Sequence, residues 1–166
     1  MGFILVKNNV IESSKGNCHS LSLDLFDQWD SMEKNKQWRF TPPTHVLAAF
    51  YQAIKEHKKE GGVEGRFKRY SNNCRIICEG MKKLGFKQLL PDHLQAPIII
   101  TFMQPKNVNF NFDKFYNSLS KKNFLIYPGK LTVADTFRIG CIGNLNANDM
   151  FDTIQATKEV LTELQI

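Results

Sequence analysis

Hydrophobic residues recur every three or four positions along the first half of the chain, which is the spacing of an amphipathic helix. The pattern predicts helices over residues 20–34, from about Thr44 to Glu60, and from about Val63 to Leu84. Their apolar faces comprise Leu21, Leu25, Trp29 and Met32; Val46, Leu47, Phe50 and Ile54; and Phe67, Tyr70, Cys74, Ile77, Met81 and Leu84. Gly61, Gly62 and Gly85 follow the second and third helices, at positions where glycine commonly ends a helix.

Beyond Gly85 the pattern changes to short runs that are rich in β-branched and aromatic residues. The runs FKQLL, PIIITFM, NFLIYP and TFRIGCI predict strands, and helices are expected over residues 112–122 and 148–164. The inner face of the last helix is predicted to comprise Phe151, Ile154, Leu161 and Leu164. The run GFILVK near the start predicts one more strand, which would need a neighbouring strand. The fold class predicted is α/β, with long helices followed by a small α+β lobe.

Composition narrows the classes of function. The chain has 166 residues, enough for one ordinary domain or for a small domain with part of another. No apolar run approaches the ~20 residues that a membrane helix needs. The net charge of +6 would suit nucleic acid or an acidic substrate, but the lysines are scattered rather than gathered on one face. We therefore expect a cytoplasmic protein that binds neither nucleic acid nor membrane.

The four cysteines are expected to be reduced thiols, mostly buried, rather than metal ligands. They are Cys18, Cys74, Cys78 and Cys141, and they form no CxxC pair and no His/Cys cluster with zinc spacing. No metal site is predicted.

Four short segments carry the specific chemical content of the chain. They are GNCHSLSLD at 16–24, QWRFTPPT at 37–44, YPGK at 127–130 and DTFRIG at 135–140. In this order and spacing they resemble the 2-aminoethylphosphonate–pyruvate aminotransferases, a family of fold-type I pyridoxal-phosphate enzymes. The similarity covers essentially the whole chain. The TPP and FRIG pieces are shared by a wider branch, but the combination of the last three segments is more specific.

The resemblance implies that the chain is the C-terminal portion of such an enzyme. Residues 1–62 would end the large PLP-binding domain, 63–85 would form a linking helix, and 86–166 would form the small C-terminal domain. The implied activity is transfer of the amino group of 2-aminoethylphosphonate to pyruvate, which gives phosphonoacetaldehyde and L-alanine. Pyridoxal 5'-phosphate is the implied cofactor, and the implied assembly is a homodimer. The Schiff-base lysine would precede Met1, so we assign no catalytic residue and expect the chain alone to be inactive.

The resemblance assigns binding roles to two matching residues of these segments and points to a third position where the residue differs. Arg138, in FRIG, matches the arginine that binds the acidic group of the substrate, and a guanidinium fork suits a carboxylate or phosphonate. Thr41 matches a threonine whose hydroxyl reaches the cofactor phosphate of the partner subunit. Trp38 lies where the wider branch often has a phosphate-binding tyrosine, and its indole offers one N–H donor.

Two alternatives stay open at this point. The first is a fragment of another enzyme of the same branch, which would use alanine or serine with glyoxylate. The second is a non-catalytic dimerising or ligand-binding module. Turnover after the preceding half has been supplied would separate an enzyme portion from a module.

Overall fold

The structure, a computed structural model, describes residues 2–129 and 134–166. The chain divides into two compact units, Met1–Lys59 and Glu60–Ile166. The finer division into the end of a large domain, a linking helix at 63–85 and a small domain at 86–166 stays a prediction.

The first unit contains three helices, α1 (Asn8–Glu12), α2 (Leu25–Asn35) and α3 (Thr44–Lys59). The α3 helix has almost the predicted bounds, whereas α2 begins five residues later than predicted. The reason is a cap at Asp24, whose side chain accepts a hydrogen bond from the backbone N–H of Asp27 at 3.0 Å. A capped helix begins after its cap, so Leu21 lies in a turn instead of on the helix face.

The strand predicted for GFILVK is wrong. Residues 2–7 form no strand, and the side chains of Phe3, Ile4 and Leu5 are exposed. A strand is stabilised by the hydrogen bonds of a neighbour, and the described residues contain no strand that pairs with this segment. The backbone carbonyl of Lys7 instead accepts hydrogen bonds from the amides of Val10 and Ile11 as α1 begins.

The apolar faces of α2 and α3 are present but remain accessible to solvent. Neither helix has a fully buried side chain, and Val46 and Phe50 are exposed on α3. One side of each helix therefore presents apolar surface to solvent. The stability of the chain must therefore come largely from the second unit.

The second unit combines three helices, a short 3₁₀ turn and a small sheet. The helices are α4 (Gly62–Lys83), α5 (Phe112–Lys121) and α6 (Ala147–Glu163), and the 3₁₀ turn is Asp92–Leu94. The strands β1 (Ile99–Met103), β2 (Tyr127–Pro128) and β3 (Thr136–Gly140) pair antiparallel in the order β1-β3-β2. This is the small α+β lobe that the sequence predicts.

Two of the predicted strands are shorter than expected. The run FKQLL makes only an isolated bridge, between Gln88 and Phe102, and NFLIYP contributes only the two residues of β2. In the second case the described strand lies at the edge of the sheet and pairs with β3.

Phenylalanine rings form the centre of the core. The rings of Phe102 and Phe137 face each other on neighbouring strands, with centroids 5.7 Å apart. Phe86 and Phe115 pack against Phe137 at 5.4 and 5.5 Å. Such pairs add to the stabilisation that burial already provides. Helix α4 closes the core with Ile77 and Met81, among other residues.

The inner face predicted for α6 is partly wrong, because Phe151 is 56% exposed. The buried residues of α6 are Met150, Thr153, Ala156, Thr157, Val160 and Leu161. The hydroxyl of Thr157 donates to the carbonyl of Thr153 at 2.8 Å, and the hydroxyl of Thr153 donates to that of Asp149 at 2.7 Å. Threonines bonded in this way can be buried, so they belong to the core face that a count of apolar residues misses.

Ion pairs fix the start of α4. Glu60 accepts from Arg66 Nε at 2.9 Å and from Arg69 Nε at 2.6 Å. These hydrogen bonds, that from Arg69 above all, lower the pKa of the Glu60 carboxyl to about 2. The adjacent Gly61 has φ +102°, a conformation that favours glycine, and it lets the chain turn into the helix.

Replacing a core ring should be far more destabilising than replacing the exposed one. Phe137→Ala should lower the free energy of unfolding by about 3–5 kcal/mol, because it leaves a cavity among four rings. Phe151→Ala, the matched control, should lower it by less than about 1 kcal/mol. Urea denaturation followed by circular dichroism measures both, and comparable losses would contradict this assignment of the α6 face.

The Glu60 ion pairs should make stability depend on pH in the acid range. The pKa of Glu60 is lower in the folded state, so this stabilisation is complete above about pH 4.5 and is lost as the pH falls towards about 2. We expect the difference in unfolding free energy between the wild type and Glu60→Gln to shrink over that range. Glu79→Gln, which removes an exposed partner of Arg75 on the same helix, is the control. An identical pH dependence of the two differences would contradict the prediction.

Candidate functional site

Arg138 lies at the middle of β3, on the sheet face opposite the phenylalanine core. Its neighbours in sequence, Phe137 and Ile139, are buried in the core, so strand alternation turns the Arg138 side chain to the other face. The strand register places Arg138 between Thr101 of β1 and Tyr127 of β2. An arginine is thereby held on regular secondary structure rather than on a loop.

The guanidinium group of Arg138 is oriented by β2. Its Nε donates to the backbone carbonyl of Pro128 at 3.1 Å, and its Cζ lies 6.0 Å from the centre of the Tyr127 ring. No carboxylate among residues 2–129 and 134–166 forms an ion pair with it. The edge formed by the two terminal nitrogens therefore remains for a ligand. This edge can donate two parallel hydrogen bonds to a carboxylate or phosphonate.

Gly129 keeps β2 close to β3. Its N–H donates to the carbonyl of Thr136 at 2.9 Å, and a Cβ at this position would overlap the Thr136 side chain. Only glycine allows this approach, which keeps the Pro128 carbonyl within reach of Arg138. Lys130, the last residue of the YPGK segment, lies outside the described residues.

Trp38 and Thr41 lie in the first unit, in the non-helical segment 36–43 between α2 and α3. Trp38 is 51% exposed and Thr41 is exposed. No described residue forms a hydrogen bond with the Thr41 hydroxyl or with the Trp38 indole N–H. These two groups are neutral donors, and a phosphate takes such donors well, so they fit the phosphate end of pyridoxal phosphate.

Arg39 organises this segment, and sequence reasoning gave it no role. Its guanidinium lies 3.0 Å from a carboxylate oxygen of Asp27, donates to the carbonyl of Leu21 at 3.1 Å, and lies over the Phe40 ring at 5.0 Å. The Arg39 side chain is only 19% exposed. Arg39 stands between Trp38 and Phe40 in the WRF motif, and this position is the sequence feature that could have indicated its structural role.

Other candidate chemistry is sparse in the part of the chain that the structure describes. There, no group of three or more His, Cys, Asp or Glu side chains could hold a metal ion, and no helix is long and apolar enough to cross a membrane. Cys74 and Cys141 are buried, Cys78 is half-buried, and the sulfurs of Cys74 and Cys78 are 3.9 Å apart.

Solved structures with the same fold are aminotransferases. The ureidoglycine–glyoxylate aminotransferase of Bacillus subtilis matches 95% of this chain and 41% of its own, with a TM-score of 0.78 and 19% identity. The alanine–glyoxylate aminotransferase of Nostoc sp. matches 93% of this chain and 42% of its own, with a TM-score of 0.74 and 17% identity. The chain therefore has the fold of part of a fold-type I aminotransferase, as predicted.

In sequence, the chain is similar from end to end to 2-aminoethylphosphonate–pyruvate transaminases. The protein of Rhizobium meliloti (strain 1021) is 48% identical over 99% of this chain. Those of Cupriavidus necator and of Pseudomonas aeruginosa (strain UCBPP-PA14) are 49% and 46% identical over 100% of it. These relatives confirm the resemblance predicted from the four segments. The chain spans only 43–45% of their length, and no family model matches it.

Removing the Arg39 guanidinium should loosen the segment that holds Trp38 and Thr41. Arg39→Gln loses an ion pair and a hydrogen bond, and we expect exchange of the Lys36 amide, which donates to the carbonyl of Met32, to accelerate roughly fivefold. Lys34→Gln, which removes an exposed ion pair with Asp30 from the neighbouring helix, should leave that exchange unchanged. Hydrogen–deuterium exchange with mass spectrometry measures both, and equal exchange in Arg39→Gln and the wild type would refute the role of Arg39.

Proposed function

We propose that the chain is the C-terminal portion of a pyridoxal-phosphate-dependent transaminase that moves the amino group of 2-aminoethylphosphonate to pyruvate. The products would be phosphonoacetaldehyde and L-alanine. The observation that carries the proposal is the 48–49% identity to transaminases of that name along 99–100% of the chain. The orientation of Arg138 supports it, because both substrates carry an acidic group.

Arg138 would bind the phosphonate of the donor and the carboxylate of the acceptor. With its Nε bonded to Pro128, the free edge of the guanidinium can meet two oxygens of either group. Tyr127, which pairs with Arg138 in the sheet, flanks the guanidinium and restricts its movement. The acidic end of each substrate would then lie at a defined place, which brings its reacting atoms into a reproducible position.

Thr41 and Trp38 would donate hydrogen bonds to the phosphate of the cofactor, and Arg39 would hold their segment in shape. When bound, pyridoxal phosphate holds the amino group between the two half-reactions. The lysine that binds the cofactor and moves the proton would belong to the part of the relatives that this chain does not span. We therefore assign the chain binding and orientation, and no acid–base step.

Three further features belong to this proposal. The protein would act as a homodimer, in which Thr41 serves the cofactor of the partner subunit. It would work in the cytoplasm, in the breakdown of phosphonates. The net charge of +6 also agrees with anionic substrates, because a positively charged protein attracts anions in a general way.

The direct test joins this chain to the preceding portion of the Rhizobium meliloti relative. The fused protein should form alanine from pyruvate only when 2-aminoethylphosphonate is present, and the 166-residue chain alone should form none. Activity with alanine and glyoxylate in its place would indicate the other specificity of the branch. A folded fusion that binds pyridoxal phosphate without turnover of either pair would indicate a non-catalytic module.

Truncating Arg138 in the active fusion should weaken the use of both substrates. Arg138→Ala loses a two-pronged charged contact, so kcat/KM should fall for both 2-aminoethylphosphonate and pyruvate. The fall should correspond to a loss of about 2–4 kcal/mol of transition-state stabilisation. Arg138→Lys keeps the charge without the fork and should recover part of the loss. Steady-state kinetics measure all three proteins, and wild-type values in Arg138→Ala would rule out the assignment.

A further inference from the structure

The loop that joins β3 to α6, residues 141–145, is held by one face of α4. Arg69, Tyr70 and Asn73 of that helix make five hydrogen bonds to the loop backbone. We propose that Glu60, Arg69 and Asn73 are positioning residues for Arg138, because they fix the end of the strand that carries it. The inference rests on the proposed function, in which Arg138 binds substrate.

Arg69 is the centre of this network. Its Nη1 donates to the carbonyl oxygens of Gly143 at 2.7 Å and Leu145 at 2.6 Å, while its Nε donates to Glu60 at 2.6 Å. One planar guanidinium therefore joins three backbone or carboxylate oxygens from distant parts of the chain. A lysine ammonium offers no such fixed fork.

Asn73 completes the contact from a fully buried position. Its side-chain amide donates to the carbonyls of Cys141 at 3.2 Å and Leu145 at 3.0 Å. Tyr70 accepts from the N–H of Gly143 at 3.2 Å. The carbonyls of 141, 143 and 145 thus all point at α4, and each would lose a partner without this helix face.

The network is close enough to Arg138 to control where its guanidinium lies. Cys141 follows Arg138 by three residues and directly follows the last residue of β3. The other end of β3 is tied to β2 by Gly129, so the strand that presents Arg138 is anchored on both sides. Glu60 is the first residue of the second unit. Its bond with Arg69 therefore connects the start of the unit with the loop that follows β3.

The residues of the network do not contact the candidate binding group directly. None of its members lies in the YPGK or DTFRIG segments, and none pairs with Arg138 itself. Its contribution to ligand binding must therefore pass through the position of β3. A purely structural network would alter stability alone, whereas a positioning network must also alter the affinity for anionic substrates.

Three variants and one control test the inference. Arg69→Gln removes the fork, and Glu60→Gln removes the charge that holds Arg69 while causing a smaller disturbance, which guards against a variant that fails to fold. Arg75→Gln is the matched control, since Arg75 lies on the same helix and, within the part of the chain that the structure describes, bonds only with the exposed Glu79 and with Asn72. Arg69→Lys tests recovery by a conservative change.

The first measurement uses the 166-residue chain itself. The Nε–H of Arg138, bonded to Pro128, gives a nuclear magnetic resonance signal whose exchange with water reports the position of the guanidinium. We expect this exchange to accelerate about tenfold in Arg69→Gln, less in Glu60→Gln and in Arg69→Lys, and not in Arg75→Gln. Amide exchange in α5 should stay at wild-type rates.

The second measurement uses the fusion described above. Arg69→Gln should raise KM for both anionic substrates about three- to tenfold and change kcat by less than about twofold. Unchanged Arg138 exchange in both main variants would overturn the inference, and so would faster exchange throughout the second unit or altered exchange with an unchanged KM. A wild-type fusion without turnover would refute the proposed function, and the exchange of Arg138 would still decide whether the network positions that residue.

Discussion

The packing of Phe137 among the rings of Phe86, Phe102 and Phe115 is the interaction on which the second unit depends. It fixes which side of β3 faces the helices. Because side chains alternate along a strand, Arg138 then lies on the opposite face. A shift of one residue in the register would bury the arginine and expose the phenylalanine. The core thus sets the position of the candidate binding group without touching it.

Around this core, the unit directs the arginine by restricting its surroundings. Gly129 brings β2 close enough for the Pro128 carbonyl to accept a hydrogen bond from Nε of Arg138, and Tyr127 lies beside the guanidinium. The loop after β3 is bonded to α4 through Arg69 and Asn73. The contacts of the Arg138 guanidinium are with a backbone carbonyl and an aromatic ring, and no carboxylate in the described residues pairs with its positive charge. An anionic ligand would supply the missing partner.

The first unit contains the other two candidate binding residues, Trp38 and Thr41. Its segment 36–43 has no regular structure, so its shape depends on the ion pair of Arg39 with Asp27 and on Pro42 and Pro43, which precede α3. Trp38 and Thr41 are exposed there, and no residue that the structure describes accepts a hydrogen bond from their side chains. The exposed apolar faces of α2 and α3 belong to the same unit and contribute little to its own core.

Much of this protein follows from sequence alone, because local rules decide it. The helical periodicity, with the glycines that follow it, was enough to place α3 and α4 within a few residues, and the motifs name Arg138, Thr41 and Trp38 as candidate binding residues, which stays a prediction. Tertiary structure decided the rest. The GFILVK run forms no strand because a strand depends on a neighbour, and Phe151 faces solvent because bonded threonines take its place in the core. The contacts of Arg39, Arg69 and Asn73 depend on oxygens 9 to 76 positions away in the chain, such as those of Glu60, Asp27 and Leu145, and no local pattern encodes such partners.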